Sequence, residues 1–134
     1  MTTFARQNSF AVLFTNKHYA MTMQNETPFT VLFLMNATPA WLTLTRQQRA
    51  LFVQHQITPI FKKTSRHVRV RLYDSEYFHA KVSDYMIVET DDFYQYKLFI
   101  EMLRDTKIYS EPYFTIVDIV PGQENAFKQF DEIL

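Results

Sequence analysis

The sequence predicts an α+β domain of the ferredoxin-like class, in which a four-stranded antiparallel sheet carries two helices on one face. Two observations lead to this fold: strand-like and helix-like segments alternate in the order β-α-β-β-α-β, and a further helical pattern follows the last strand. Crossovers of the preferred hand place both helices on the same side of the sheet. With 134 residues and an apolar content of 47%, the chain is long and apolar enough for one core.

The first strand and the first helix are predicted from the chain after residue 28. The continuous apolar run Phe29–Met35 is typical of a central strand that is covered on both faces. Further on, Thr45 and Gln48 have the spacing of a capping box and therefore predict a helix N-terminus. Proline lacks the amide donor, so Pro59 predicts that this helix stops or kinks near Thr58.

The middle of the chain predicts two strands joined by a wide hairpin. His67–Tyr73 alternates apolar and polar residues with a period of two, which is typical of a half-buried strand. Tyr85–Thr90 is rich in apolar and β-branched residues and is predicted as the next strand. Residues 74–84 are expected to form the hairpin loop or to extend both strands past a turn.

The second helix and the fourth strand complete the predicted sheet. Residues 92–105 show helical spacing after acidic and hydroxyl side chains that can cap a helix. Tyr113–Val120 is predicted as the fourth strand, and Pro121 and Gly122 are expected to stop it. A short amphipathic helix is expected from Ala126 to the C-terminus.

The chain before the first strand lacks this periodicity. Residues 1–26 are expected to form an N-terminal arm, followed by a single ferredoxin-like domain over residues 27–134. Within the arm, Phe10–Asn16 is a short apolar run with strand-like composition. Two possibilities stay open: the arm is flexible, or it adds a strand to an edge of the sheet.

Composition and motifs exclude several functional classes. Lys and Arg number 14, as do Asp and Glu, which removes the electrostatic reason to expect nucleic acid or an anionic membrane as a partner. The chain has no cysteine and one glycine, which excludes thiolate chemistry, disulfides and glycine-rich phosphate loops. His55, His67 and His79 lack the spacing of a metal or haem site, so no cofactor is predicted. No apolar run is long enough to span a membrane, and a cytoplasmic protein is expected.

Four segments of the chain resemble the darcynin family of small bacterial proteins. They are PAWLTLTRQQR (39–49), RVRLYDSEYFHAKVSDYMIVET (69–90), IEMLRDT (100–106) and PYFTIVDIVPGQENAF (112–127). The resemblance spans most of Phe29–Leu134 and leaves the N-terminal arm outside. It implies a compact α+β fold and an uncharacterised function, and it carries no established active-site residues.

The predicted hairpin concentrates reactive side chains. It holds Asp74, Glu76, His79, Lys81, Ser83 and Asp84. These supply enough acid, base and hydroxyl groups for general acid–base catalysis if they converge. The alternative is a solvated hairpin, because loops lie at the surface and collect charged residues. The solvated hairpin is favoured, and no catalytic residue is assigned. Asp84 is the best exception, because it lies beside Tyr85 at the strand entry.

A ligand site is predicted from four residues on three elements. They are Trp41, Arg71, Tyr73 and Asp84. Arg71 and Arg69 share a strand face, where they could grip a carboxylate or phosphate, or could pair with Glu89 or Asp118. Trp41 could cover a pocket between the sheet and the first helix, or could be an aromatic residue at the edge of the core.

Two functions stay open on this evidence. The first is a homodimeric α+β barrel that binds a small organic ligand, and a cofactor-independent enzyme fits that chemistry by fold analogy alone. The second is a non-enzymatic interaction or assembly module without a small-molecule site. In both cases a homodimer is expected through the sheet face that carries Arg69, Arg71 and Tyr73, because the two helices cover only the other face.

Overall fold

A computed structural model describes residues 28–134. The expectations for residues 1–26, a flexible arm or an added edge strand, lie outside the described residues. The sheet consists of β1 (Phe29–Ala37), β2 (Val68–Asp74), β3 (Asp84–Thr90) and β4 (Phe114–Gln123). Its strand order is β2-β3-β1-β4, and all neighbours are antiparallel. This order is the ferredoxin-like arrangement that the sequence predicts.

The first crossover is built from several short helices. They are α1 (Pro39–Leu42), α2 (Arg46–Phe52), a π-helical segment (Val53–Ile57) and α3 (Thr58–Lys63). The predicted capping box is present: the Thr45 amide donates to Gln48 Oε1 at 2.8 Å, and the Gln48 amide donates to Thr45 Oγ1 at 3.1 Å. The helix does not stop at Pro59. The wider π turn before it interrupts the α-helical pattern, as expected where a proline cannot donate a hydrogen bond.

The second crossover contains α4 (Phe93–Arg104) and α5 (Lys107–Ser110). Asp92 caps α4, because its Oδ1 atom accepts from the backbone amides of Tyr94 at 3.0 Å and Gln95 at 3.2 Å. The helix buries Phe99 and Leu103 against the sheet. The capping residues near Thr90 therefore act as the sequence predicts.

The core lies between the sheet and the two crossovers. Alternate residues of the central strands, Val31 and Phe33 on β1 and Val88 on β3, have at most 1% of their surface exposed. Phe99 from α4 is fully buried against them. Since strand side chains alternate between faces, this burial identifies the side of the sheet on which both crossovers pack.

Two predictions about the C-terminal part are wrong. Strand β4 does not stop at Pro121, which pairs with Val31, and it continues to Gln123. A proline is tolerated there because β4 is an edge strand and its outer side has no neighbouring strand among residues 28–134. The expected amphipathic helix is a short 3₁₀ helix, Ala126–Phe130, with no buried residue. A segment this short forms a stable helix only where it packs on another surface.

The sheet face opposite the crossovers is here called the open face. Its two central rows are Arg71, Ile87, Leu32 and Val120, and Tyr73, Tyr85, Leu34 and Asp118. Tyr73 and Tyr85 stack with their ring centroids 5.0 Å apart and an interplanar angle of 10°. The open face is thus apolar in its middle and carries opposite charges at its two edges. None of the helices among residues 28–134 has the length and apolar character needed to span a bilayer.

Candidate functional site

An apolar cavity of about 190 Å³ lies between the sheet and the helices. Phe33, Met35 and Met86 line it from the sheet, Phe52, Val53, Ile57 and Phe61 from the first crossover, and Leu103, Ile108, Tyr109 and Phe114 from the second crossover and β4. Its lining has only two charged residues, Asp74 and Asp84, at the hairpin ends of β2 and β3. This cavity is therefore an apolar space with acidic groups at one place in its wall.

The π-helical segment forms part of that wall. Its first and last residues, Val53 and Ile57, both line the cavity, although the segment has no side-chain cap. A π turn contains one residue more than an α turn, so it shifts the side chains that follow it around the helix. Such segments occur frequently at functional sites. Here the shift contributes to the shape of the cavity.

Trp41 lies where the cavity reaches the protein surface. Its ring is 5.1 Å from that of Phe114, 5.3 Å from that of Tyr113 and 5.9 Å from that of Phe52 between centroids. The short helix α1 holds it in place: Thr38 Oγ1 accepts from the Trp41 amide at 3.4 Å and donates to the Pro112 carbonyl at 2.7 Å. The aromatic contacts and the cap together fix the position of the indole.

A second depression, here called the polar groove, adjoins the cavity. It shares Trp41, Asp74, Asp84 and Phe114 with the cavity and adds Arg46, Arg49, Glu76 and Ser83. The two arginines lie on α2, three residues apart, and therefore on one helix face. A molecule in the cavity can thus reach charged groups of both signs through the polar groove.

Three carboxylates meet at the junction of cavity and groove. Asp74, Glu76 and Asp84 can bring oxygen atoms within 4.8 Å of one another. No ion pair joins any of them to a cation of residues 28–134. They are the one set of at least three possible metal ligands in the described part of the chain. Exposed acidic groups are common without a metal, and nothing else at this place points to one.

Asp84 is the most constrained of these carboxylates. Ser83 Oγ donates to its Oδ1 atom at 2.6 Å, and the Ala37 amide donates to Ser83 Oγ at 2.7 Å. Burial raises the pKa of the Asp84 carboxyl, against the hydrogen bond from Ser83, and the charges of Glu76 and Asp74 add to the rise. Asp84 therefore binds a proton more readily than an exposed aspartate. Burial also raises the pKa of Tyr109, which lines the cavity as well.

The structure brings three of the four predicted ligand residues to the cavity. Trp41, Tyr73 and Asp84 line it, whereas Arg71 does not. Arg71 lies opposite Ile87 on the open face. Tyr73 belongs to that same face by strand alternation and stacks there on Tyr85, and both residues also contribute to the lining of the cavity. Trp41 and Asp84 thus share one site, and Arg71 belongs to another surface.

Other predicted residues have structural contacts. Arg69 Nη2 lies 3.5 Å from Glu89 Oε1, so this cross-strand pair is the one that the sequence suggested for Arg69. His79 Nδ1 accepts from the backbone amides of Lys81 and Val82 at 3.2 Å each, which holds the hairpin loop. Residues 75–83 form the loop of the wide hairpin, because Asp74 pairs with Asp84.

Sequence reasoning missed Arg46, Arg49 and Tyr109. The two arginines lie three positions apart in the segment that follows Trp41. That spacing places them on one face of the predicted helix, but only the tertiary structure shows that the face borders the hairpin carboxylates. Tyr109 comes from α5, a one-turn helix that carries no periodic signal.

A comparison with known sequences identifies the protein family to which this chain belongs. The sequence model of Darcynin, described as a domain of unknown function, matches residues 15–131. A darcynin homolog from Streptomyces avermitilis is 37% identical over 108 residues, which are 81% of this chain and 88% of that protein. A darcynin homolog from Granulibacter bethesdensis is 36% identical over 112 residues, or 83% and 90% of the two chains.

Solved structures share the fold at low sequence identity. A novel heme-binding protein from Thermus thermophilus superposes with a TM-score of 0.66 at 15% identity, over 78% of this chain and 44% of that one. Chlorite dismutase from Candidatus Nitrospira defluvii, in complex with imidazole, superposes with a TM-score of 0.64 at 12% identity, over 80% of this chain and 44% of that one. At these identities the likeness concerns the fold alone. The present chain spans less than half the length of either structure.

Proposed function

Because the chain belongs to the darcynin family, which is described without a function, we propose a function from its own site: it binds a small organic ligand in the apolar cavity. The observation that carries this proposal is a space of about 190 Å³ whose lining is apolar except for one acidic end. Ligand sites combine an apolar lining with a few polar groups in this way. An engineered apolar cavity of about 150 Å³ binds benzene, so a single-ring molecule suits this volume.

The surrounding elements support the same conclusion. The π-helical segment lines the cavity through Val53 and Ile57, and Trp41 stands at its outer end. Ile57 also belongs to the buried core, so the π-helical segment contributes both to the core and to the cavity wall. A preformed, partly open apolar space binds small molecules at low cost in reorganisation.

Haem does not fit this cavity, although one solved protein of the same fold is described as heme-binding. The volume of about 190 Å³ is below the range of about 300–1,000 Å³ that drug-sized ligands need, and haem is larger than most of them. None of the described histidines lines the cavity: His67 Nδ1 lies 2.9 Å from Asp91, and His55 borders a different depression. No catalytic role is assigned to the lining residues.

We also propose that the protein is a homodimer in which a second copy covers the open face. Leu32, Leu34 and Ile87 give that face an apolar centre, and an uncovered apolar sheet face is unusual for a monomer. Arg71 at one edge and Asp118 at the other form no ion pair within residues 28–134. A twofold axis that lies in the interface and runs parallel to the strands would bring each of them toward the opposite charge of the partner copy.

Calorimetric titration with a neutral single-ring probe, 2-phenylethanol, tests the binding function. We expect saturable binding and a higher midpoint of thermal unfolding, because a ligand that binds only the folded state stabilises it. Val53→Phe fills the cavity from the π-helical segment and should abolish binding. Leu51→Phe, on α2 and outside the cavity lining, is the matched control and should keep it. The proposal would be overturned if 2-phenylethanol showed no saturable binding up to about 10 mM. That limit corresponds to a binding free energy smaller in magnitude than about 3 kcal/mol.

A further inference from the structure

We propose that the ligand of the apolar cavity is a small amine, whose apolar body fills the cavity and whose cationic nitrogen is bound by Asp84 and Asp74. This inference rests on the proposed function and adds the charge of the ligand to it. Its basis is the distribution of charge along the cavity wall, which contains two carboxylates and no cationic residue. The charged groups that a ligand in this cavity contacts are therefore both negative.

The position of the carboxylates gives the ligand a defined orientation. Asp74 and Asp84 form the last cross-strand pair of β2 and β3, so the acidic end of the cavity lies at the hairpin. The remaining lining, from Phe33 to Phe114, offers carbon surface. An amine with an aromatic or aliphatic body matches both parts, because a carboxylate accepts charge-assisted hydrogen bonds from an ammonium group.

The carboxylates also lack an ion-pair partner in the described part of the chain. Asp74, Glu76 and Asp84 can approach within 4.8 Å of one another, and none has an ion-pair partner among residues 28–134. Like charges at this spacing repel, and burial of Asp84 adds a desolvation cost. A bound ammonium group would offset both. Trp41 lines the same junction, and the face of an indole attracts cations as well.

The rival ligand is a small carboxylic acid. Arg46 and Arg49 border the polar groove and could hold its anionic group outside the cavity, and neither has an ion-pair partner among residues 28–134. They do not line the cavity itself, so an acid with its body inside would place its charge beside Asp74 and Asp84, which line both the cavity and the groove. Because the carboxylates are nearer to the apolar space, they decide the preference.

Three probes with the same ring separate these possibilities: phenethylamine, 2-phenylethanol and 3-phenylpropionate. At about pH 7 the first is a cation and the last an anion, since amines of this type titrate near pH 10 and carboxyls near pH 4. We expect phenethylamine to bind at least about tenfold more tightly than 3-phenylpropionate, with the affinity of the alcohol between the two. A difference of this size is typical of the free energy of one hydrogen bond to a charged group. Isothermal titration calorimetry measures all three dissociation constants on the full-length protein.

Asp84→Asn tests the role of the carboxylate without changing the shape of the side chain. It should weaken phenethylamine binding about tenfold and 2-phenylethanol binding by much less, and a cooperative thermal transition checks that the variant is folded. Glu89→Gln removes a carboxylate from the same strand on the open face and should change neither value.

The outcomes separate this inference from the proposed function. If the alcohol binds and 3-phenylpropionate binds as tightly as phenethylamine, the amine preference is wrong and the cavity function stands. The same conclusion follows if Asp84→Asn leaves the ratio of amine to alcohol affinity unchanged. If none of the three probes binds, both proposals are wrong. If calcium binds the three carboxylates and phenethylamine binds no more tightly than 2-phenylethanol, the carboxylates form a metal-ion site and the amine inference is overturned.

Discussion

Asp74 and Asp84 lie directly opposite each other as the last residue pair of the β2–β3 ladder. Two like charges in this position destabilise a sheet. Here the pair lies in the wall of an apolar cavity, where burial raises the pKa of Asp84. The arrangement thus opposes folding stability at the place where we propose that a positively charged group binds.

Asp84→Asn should therefore raise the midpoint of thermal unfolding at neutral pH. The folded-state pKa of Asp84 lies above its unfolded value, so the native state binds the extra proton and wild-type stability rises as pH falls through the folded pKa. The advantage of the variant should be largest above that pKa and should vanish below the unfolded value. The charged side chains that line the same groove as Asp84 are Asp74 and Glu76 on the hairpin and Arg46 and Arg49 on α2.

Scanning calorimetry at a series of pH values measures this difference. Asp131→Asn, an exposed carboxylate near the C-terminus, is the control and should give a difference near zero at every pH. A lower midpoint for Asp84→Asn than for wild type at neutral pH would show that the hydrogen bond from Ser83 outweighs burial and repulsion.

Phe99→Ala should destabilise the domain by about 3–5 kcal/mol, because it removes a fully buried ring and leaves a cavity. The ring packs 5.7 Å from that of Phe61 and joins α4 to the first crossover. Urea unfolding gives the free energy of unfolding. Tyr94→Ala, on the exposed side of the same helix, should change it by less than about 0.5 kcal/mol. Equal effects of the two substitutions would mean that the buried face of α4 is assigned wrongly.

Asp92→Ala should cost about 1 kcal/mol of stability, since the two amide groups at the start of α4 lose their acceptor. Urea unfolding again measures the change. Glu101→Ala, an exposed position inside the same helix, is the comparison and should be nearly neutral. A loss for Glu101→Ala as large as that for Asp92→Ala would contradict the capping role.

Light scattering should report twice the chain mass at micromolar concentration if the open face forms the proposed dimer. Arg71→Glu should shift the protein toward monomer, because it places an acid where the partner presents Asp118. Arg66→Glu changes the same charge in the turn before β2 and should leave the dimer intact. A wild type that stays monomeric up to about 100 μM would exclude a standard-size interface.

A chain shortened to residues 27–134 should keep cooperative unfolding and the cavity, because we propose that these residues form a complete domain. All core residues named above, from Val31 to Leu103, lie within them. Calorimetry and titration with 2-phenylethanol compare the shortened and full-length proteins. Loss of a cooperative transition on shortening would show that the domain requires part of the first 26 residues.

The sequence predicts the order of strands and helices because each depends on a local pattern. The period of two in residues 68–73, the capping box at Thr45 and the acidic cap at Asp92 are local, and the structure contains all three. The continuation of β4 through Pro121 depends instead on its edge position, which is a property of the whole sheet. The C-terminal pattern predicted a helix, but no surface of residues 28–134 buries it.

The candidate site was predictable in part for the same reason. Asp74 and Asp84 end two strands of one hairpin, so the sequence places them close together. The sequence also suggests Arg71 as a ligand residue together with Asp84, yet strand alternation turns it to the open face. Arg46 and Arg49 meet the hairpin only through the packing of α2 near the end of β2, which no local pattern encodes.

The π-helical segment Val53–Ile57 makes the cavity sensitive to chain length at a single position. A π turn holds one residue more than an α turn, so deletion of Gln54 would let an uninterrupted α-helix form up to Pro59. Val53 and the residues before it would then rotate by about 100° relative to α3, as one residue of an α-helix does. The sheet and its hairpin carboxylates would be untouched. Insertions and deletions of one residue here are therefore a route by which a lineage could alter what the cavity accepts while inheriting the same fold.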